Sequence, residues 1–404
     1  MWLFYTLAAL VLLQGVLSLR GGVRYLAFFR RELESARALY MPPASVFVPC
    51  RGLDQGLRAN LSALFRQHYP AYELVFVSDS VADPALALAR DLAVEFEGQT
   101  VARTRFVVAG RAEGSGQKVH NLLAAVAQAD PASEVFVFVD TDARPRADWL
   151  RRLVAPLAEE GAGAATGYRW FLPVAGGLAS QLRSVWNASI ASALGPDGGR
   201  NFCWGGSTAI GRATFERLNV RGRWRGTLSD DYALTHALHN AGLPVRFVPA
   251  CLTASLEDCT FKELFEFTTR QLKITRVYAP HLWRVVLISN LLFVAFFFGG
   301  LALAAARAAL GLPFAWPLAL VAVAFLLGVW KAFFRLRAVA LVLEDQHARL
   351  RAGLWAHLLL WPLTGALFLY NAAAAGLSRR ITWRGISYSL KSPTETEIIE
   401  APSD

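Results

Sequence analysis

The chain has little charge for its size, and some long stretches have none. Asp, Glu, Lys and Arg make up 18% of its 404 residues, against 54% hydrophobic residues. Residues 2–19 carry no charge and are about long enough to cross a bilayer core. No basic segment precedes this run and no small-x-small cleavage site follows it, so the pattern predicts an anchor and not a secretory signal peptide. Further uncharged spans are expected at 285–306, 313–330 and 354–377. Their lack of intramembrane charge removes the usual support for a transporter, or for a membrane scaffold whose soluble domain merely binds nucleotide. Cysteine is scarce: Cys50, Cys203, Cys251 and Cys259 fall in a region predicted to face the cytosol, where no disulfide is expected. Cys251 and Cys259 lack metal-ligand spacing and a histidine in register, which argues against zinc. No nucleic-acid motif is recognisable, and the arginines behind the net charge of +10 are spread along the chain. That excess suits anionic headgroups and nucleotide phosphates.

The arginines are unevenly placed around the apolar runs. Arg20, Arg24, Arg30 and Arg31 crowd the C-terminal side of the first span, which predicts a cytoplasmic location for residues 20–284. Lys331, Arg335, Arg337, Arg349 and Arg351 place the loop after the third span inside as well, so spans two and three form a hairpin. The fourth run is in conflict with the rule if it crosses, because Arg379, Arg380 and Arg384 would then lie outside. A re-entrant or interfacial segment bent at Pro362 and Gly365 keeps the tail inside and is preferred. The predicted organisation is an anchor over 1–20, a soluble domain over 42–260, an amphipathic interfacial helix over 261–284, membrane helices over 285–377 and a tail over 378–404. The expected location is an inner cell membrane, with the soluble domain facing the cytoplasm.

Within the soluble block, strands at 45–50, 73–77, 104–109 and 135–140 alternate with helices at 57–68, 84–94, 117–128 and 147–159. This alternation predicts a doubly wound, mainly parallel α/β sheet, with ligand bound at the carboxyl ends of its strands. The apolar run Val135–Val139 delivers Asp140-Thr141-Asp142 to such an end. Two carboxylates one residue apart suit a hard divalent cation, Mg²⁺ or Mn²⁺, that also binds substrate phosphate oxygens. Pro49-Cys50-Arg51-Gly52-Leu53-Asp54 and Ser78-Asp79-Ser80 are expected at neighbouring strand ends.

Several ordered motifs resemble those of family 2 glycosyltransferases with the GT-A fold, most closely the ceramide glucosyltransferase-like branch, with similarity to hopanoid glycosyltransferases. They are Pro49-Cys50-Arg51-Gly52-Leu53-Asp54, Tyr69-Pro70-x-Tyr72-Glu73, Asp83-Pro84-Ala85, Lys118-Val119-His120-Asn121-Leu122, Ser229-Asp230-Asp231-Tyr232 and Ile381-Thr382-Trp383-Arg384-Gly385. The likeness runs from residue 45 to about 390. It implies inverting, nonprocessive transfer of a hexose from a UDP-sugar to a membrane lipid hydroxyl such as ceramide, with a hopanoid or polyprenyl acceptor, or polysaccharide synthesis, as alternatives. No obligate protein partner is implied. The family's Arg/Gln-x-x-Arg-Trp signature appears as Arg270-Gln271-Leu272-Lys273-Ile274. Its missing Trp, which stacks under the acceptor sugar in processive relatives, argues against a sugar-chain acceptor.

Under this resemblance Asp231 is the general base and Asp230 the next choice, although Ser229-Asp230-Asp231 would also suit the start of a helix over 230–241. Asp140 and Asp142 would hold the cation. Pro49, Arg51, Lys118, Asp140, Gly206, Arg270 and Lys273 would line the donor site. Asp79 would bind the uracil or ribose, with Asp83 competing, and either could be a loop cap. The loop around Cys203, Trp204 and Gly206, and Trp186 on the apolar face of residues 178–194, are candidate acceptor walls. The basic amphipathic stretch 261–278 is expected to lie in the membrane interface.

Overall fold

The computed structural model describes residues 1–35 and 39–401. Helix α1 (Trp2–Glu34) is followed by β1 (Ala44–Pro49), α2 (Leu57–Phe65), β2 (Tyr72–Ser78), α3 (Pro84–Glu95) and β3 (Arg103–Val108). Next come α4 (Gln117–Val126), β4 (Val135–Phe138), α5 (Trp149–Val154), β5 (Ala164–Leu172) and α6 (Leu178–Ala191). The chain continues through β6 (Thr208–Gly211), α7 (Arg212–Arg217), α8 (Val220–Trp224), α9 (Asp230–Asn240) and β7 (Val245–Leu256). Six helices follow: α10 (Phe261–Tyr278), α11 (Pro280–Ala309), α12 (Ala315–Ala340), α13 (His347–Ala352), α14 (Leu354–Leu359) and α15 (Trp361–Leu377). The strands β8 (Arg380–Trp383), β9 (Ile386–Ser392) and β10 (Glu395–Glu400) close it.

These elements form two units. The α/β unit comprises residues 31–171, 193–257 and 380–404; the helical unit comprises 1–30, 172–192 and 258–379. Three boundaries therefore differ from expectation. Residues 172–192 leave the soluble block for the helical unit, the tail returns to the α/β unit, and α1 runs past the expected anchor to Glu34. Residues 402–404 of the expected tail lie outside the described residues.

The α/β unit holds a seven-stranded sheet in the order β3-β2-β1-β4-β6-β5-β7. β1 runs parallel to β2 and β4, β2 runs parallel to β3, and β6 lies antiparallel to β4 and β5. The expected α/β, mainly parallel, GT-A-type sheet is therefore present. β2 and β4 are buried along their whole length, which explains their continuous apolar sequence: helices cover both faces of a parallel sheet. Phe47 stacks on Phe138 at 5.4 Å between centroids, and Trp224 meets Phe138 edge-on at 5.3 Å. The helix expected over 147–159 ends at Val154 and tightens into a 3-10 turn at Ala155–Ala158. Pro156, which lacks an N–H, cannot continue an α-helix. A separate antiparallel sheet, β10-β9-β8, belongs to the same unit.

In the helical unit, α1, α11 and α12 are the three helices among the described residues that are long and apolar enough to cross a membrane. Their shared core contains Phe4, Ala8, Val11, Phe296, Phe297 and Val321. Gly300 permits that contact, since a Cβ there would lie 2.7 Å from Val321 and 2.8 Å from Phe4. The fourth expected span is divided into α14 and α15, with Pro362 in the first turn of the second piece. Helix α10 begins with a capping box: Thr260 N–H donates to Glu263 Oε2 at 2.8 Å, and Glu263 N–H donates to Thr260 Oγ1 at 3.3 Å. It exposes Phe261 (50%) and Phe265 (40%) while burying Leu264, Thr268 and Leu272, the amphipathic pattern expected of it.

Candidate active site

Parallel pairing of β1, β2 and β4 brings three turns to one edge of the sheet. Pro49 closes β1, and Cys50 N–H donates to Val77 O at 2.7 Å, so the turns after β1 and β2 leave side by side. Val139 N–H donates to Phe47 O at 3.1 Å, which sets Asp140-Thr141-Asp142 beside the same turns. Arg51 crosses between them, its Nη1 donating to Asp79 Oδ2 and its Nε donating to Arg384 O at 3.1 Å. Asp54 accepts the Thr141 hydroxyl at 3.0 Å and both terminal nitrogens of Arg384, at 2.7 and 2.8 Å.

Asp83 caps α3, accepting Ala85 N–H at 2.8 Å and Gly52 N–H at 3.1 Å. Both carboxylates weighed for the nucleoside thus meet the turn after β1, Asp79 through the Arg51 side chain and Asp83 through the Gly52 N–H.

The second half of the site comes from α4 and α9. Gly116 N–H donates to Thr227 O at 2.8 Å, and a Cβ on Gly116 would lie 2.8 Å from Leu228 O. This tight approach brings the start of α4 against the turn preceding α9. Lys118 consequently contacts two motifs at once, with Nζ 2.8 Å from Asp140 Oδ1 and 3.2 Å from Asp230 Oδ1. Gly205 is required here, because a Cβ would stand 2.5 Å from Lys118 Nζ and 2.8 Å from Asp230 Oδ2. Burial alone would lower the Lys118 pKa, but Asp140, Asp230 and Asp231 outweigh it and hold the ammonium above its ordinary value. Asp140 is likewise held below the usual carboxylate range, since Lys118, Arg169 and Arg384 together exceed its burial penalty. Asp230 is pushed up to about 6 by burial, with Lys118 opposing and Asp231 and Asp140 adding to the rise.

Asp231 is half-buried at the start of α9. Its Oδ1 accepts the Ser229 hydroxyl and, at 2.8 Å, Tyr232 N–H, and neither bond uses Oδ2. Ser229 is the N-cap residue, its hydroxyl accepting Tyr232 N–H at 3.4 Å. The cap and the carboxylate therefore coexist in one turn.

Arg169 in β5 was not foreseen from sequence. Its Nη1 donates to Asp142 Oδ2 at 2.6 Å, and its guanidinium lies over the Trp204 ring at 5.1 Å. Burial opposes its charge, but Asp142, Asp140 and Glu257 keep it protonated. An arginine within an otherwise buried strand was the available signal. Asp54 and Arg384 were visible within motifs but carried no assigned role.

The acceptor residues and one donor residue are placed differently from expectation. Cys203 (3% exposed) belongs to the core of the α/β unit. Trp204 (6%) is packed on Tyr168 and beneath Arg169. Gly206 makes room for that indole, since a Cβ would meet it at 2.2 Å. Trp186 is fully buried in the helical unit and stacks on Phe368 at 4.8 Å. Arg270 and Lys273 lie on α10 in the helical unit. The Arg270 guanidinium sits over Phe267 at 5.6 Å, and desolvation lowers the Lys273 pKa.

The residues present fit a divalent cation. Asp142 Oδ1 is buried with no hydrogen-bond partner, and Asp140 sits one residue away on the same turn. Among the described residues no group of three or more His, Cys, Asp or Glu could hold a metal. A cation here would draw its remaining ligands from substrate and water, as Mg²⁺ commonly does.

A mainly parallel sheet with an Asp-x-Asp turn at its carboxyl edge is the GT-A-type arrangement expected from the sequence. The chain belongs to glycosyl transferase family 21, whose pattern matches residues 3–396. This meets the expectation of a glycosyltransferase. The probable glycosyltransferase YdaM of Bacillus subtilis (strain 168) is 26% identical over 273 residues, covering 64% of this chain; the chain spans about 62% of that relative's length. The mannosyltransferase PcManGT from Pyrobaculum calidifontis, solved with GDP-Man and Mn²⁺, is 19% identical with a TM-score of 0.48, over 92% of this chain and 99% of that one. Glucosyl-3-phosphoglycerate synthase from Mycobacterium tuberculosis, solved with Mn²⁺ and UDP-glucose, is 17% identical with a TM-score of 0.36, over 57% and 77% of the two chains.

Proposed function

We propose that the protein is an inverting, nonprocessive glycosyltransferase that moves a hexose from a UDP-sugar to the hydroxyl of a membrane lipid, ceramide or a comparable lipid alcohol. The observation that carries this reading is the position of Lys118, whose ammonium touches both the Asp-x-Asp turn and the Ser229-Asp230-Asp231 turn. Donor and base motifs are thereby held around one charge cluster.

In this mechanism Asp231 Oδ2 takes the proton of the acceptor hydroxyl, while Ser229 and the Tyr232 amide hold Oδ1. The freed oxygen attacks the anomeric carbon from the face opposite the diphosphate, which inverts the centre in a single displacement. Asp140 and Asp142 would hold a divalent cation, which neutralises charge on the departing diphosphate. Arg51 and Asp79 fix the nucleoside end at the neighbouring strand termini. Lys118 keeps Asp140 and Asp230 from repelling each other.

The lipid acceptor is supported by three candidate membrane spans and by the exposed aromatic side of α10. The cytoplasmic orientation is supported by the arginines after the first span and by parity. Strands β8–β10 fold with the α/β unit, and two candidate spans, α11 and α12, separate the two parts of that unit. An even number of crossings returns the tail to the side of the site.

The test incubates membranes bearing the protein with radiolabelled UDP-sugars and then extracts lipid. Label in a single-sugar lipid, abolished by EDTA and restored by Mn²⁺ or Mg²⁺, is expected. Label only in a polymer, or in lipid at full yield with EDTA, would contradict it.

A further inference from the structure

The C-terminal sheet is fastened to the α/β unit close to the acidic turns. Tyr388 is buried, and its hydroxyl accepts Gln117 N–H at 3.2 Å at the start of α4. Gly226 lies against the β9–β10 turn, where a Cβ would stand 2.3 Å from Thr394 O. Trp383 pairs with Ile386, so the β8–β9 turn has two residues, Arg384 and Gly385, with φ of 52° and 80°. Two positive φ angles make the tight hairpin turn for which Asn-Gly is preferred. Arginine in the left-handed region costs roughly 1–2 kcal/mol. A residue held against its preference marks a position worth reading for function.

That arginine is 39% exposed, and its guanidinium is directed at carboxylates. Both terminal nitrogens contact Asp54, which also holds the hydroxyl of Thr141 between Asp140 and Asp142. Burial opposes the charge of Arg384, but Asp54, Asp142 and Asp140 raise its pKa. The turn tip thus carries a planar, two-pronged cation to the edge of the Asp-x-Asp turn, in the form that best matches phosphate oxygens.

We propose that Arg384 is a diphosphate-binding residue of the donor site, delivered by the C-terminal hairpin and held by Asp54 until a nucleoside diphosphate takes over its guanidinium. This deepens the proposed function and rests on its reading of the Asp140–Asp142 turn as the donor site. When the diphosphate arrives, Asp54 keeps the Thr141 hydroxyl and is not left bare. The tail is then part of the active site and not a trailing segment.

The full chain, purified in detergent with Mn²⁺, is titrated calorimetrically with UDP, UMP, GDP and GMP. Wild type should prefer the diphosphate of one base over its monophosphate. Arg384→Ala should weaken that diphosphate by on the order of 10-fold or more, the usual size of a lost charged hydrogen bond, and leave the monophosphate within about twofold. Asp54→Asn breaks the same ion pair but frees the guanidinium, so diphosphate affinity should hold or rise. If Arg384→Ala does not fold, Arg384→Lys keeps the charge without the fork and should weaken the diphosphate severalfold. Unchanged diphosphate affinity in the Arg384 variants would overturn the proposal while leaving the donor site standing. So would equal losses in Arg384→Ala and Asp54→Asn, since Arg384 would then only pin the hairpin. A wild type that binds no nucleoside phosphate would overturn the donor site itself.

Discussion

Lys118→Met removes an ammonium that contacts both Asp140 and Asp230 and keeps a side chain of similar length. The three groups are largely enclosed, with side-chain exposures of 14% for Lys118, 23% for Asp140 and 6% for Asp230. Taking one partner from a buried ion pair costs roughly 3–5 kcal/mol, because the other charge is left unpaired. The loss should depend on pH with a definite sign. In wild type the Lys118 pKa is raised, so its stabilisation is complete below its ordinary value of 10.5 and is lost above it. In the variant Asp140 keeps Arg169 and Arg384 but loses its main counter-charge, while Asp230 loses Lys118 and its carboxyl moves further above its ordinary value of 3.8. The folded state then binds more protons than the unfolded chain, so stability falls as pH rises from that value through the region around 6. At pH 5 partial protonation relieves the repulsion, and at pH 8 it does not. Thermal unfolding in detergent should show a melting temperature lowered by roughly 6–20 °C at pH 8, at roughly 2–4 °C per kcal/mol, and by clearly less at pH 5. An equal drop at both pH values, or none at pH 8, would refute the ion cluster.

Gly205→Ala should disturb the same cluster sterically, with a stability loss of about 1–3 kcal/mol and a large loss of transfer. Gly114→Ala, where a Cβ meets nothing within 4 Å, should change neither, as measured by melting temperature and lipid labelling. Cysteines introduced at Gly195 and Glu400 should both resist a membrane-impermeant reagent in intact cells, and one at Leu310, between α11 and α12, should react. Labelling at Gly195 from outside would reverse the orientation, and labelling at Glu400 alone would break the parity argument.

The alternating half of the α/β unit was legible because β1, β2 and β4 carry apolar runs and β3 ends in Phe106-Val107-Val108, each followed by a helical stretch. Their boundaries differ from expectation by a residue or two. β5 and β7 were not legible, for physical reasons. β5 contains Gly167, which is needed because a Cβ would lie 2.3 Å from Cys251 O, and Arg169, whose partner Asp142 is distant in sequence. β7 contains Pro249 amid small residues, which suppresses a strand pattern. β9 does alternate, with Ile386, Tyr388 and Leu390 buried, but polar neighbours and a terminal position made it read as a tail. The gathering of Asp79, Asp140 and Asp142 at neighbouring strand ends was legible because strand position and motif agree. The burial of Trp186 and Trp204 was not legible, since both show the same apolar spacing whether they face substrate or core.

The central claim, that Asp231 takes the acceptor proton beside a separately held donor, is tested most directly by Asp231→Asn. Asparagine is nearly isosteric, and its amide oxygen can still accept the Ser229 and Tyr232 donors that Asp231 Oδ1 accepts, so folding should be preserved. Removing the general base should slow lipid labelling by about 10²–10⁴-fold, while calorimetric affinity for the nucleoside diphosphate stays within about twofold, since Arg51, Asp79 and the Asp140–Asp142 turn are untouched. A variant that transfers sugar at the wild-type rate, or that loses nucleotide binding together with activity, would contradict the account and shift the base to another group.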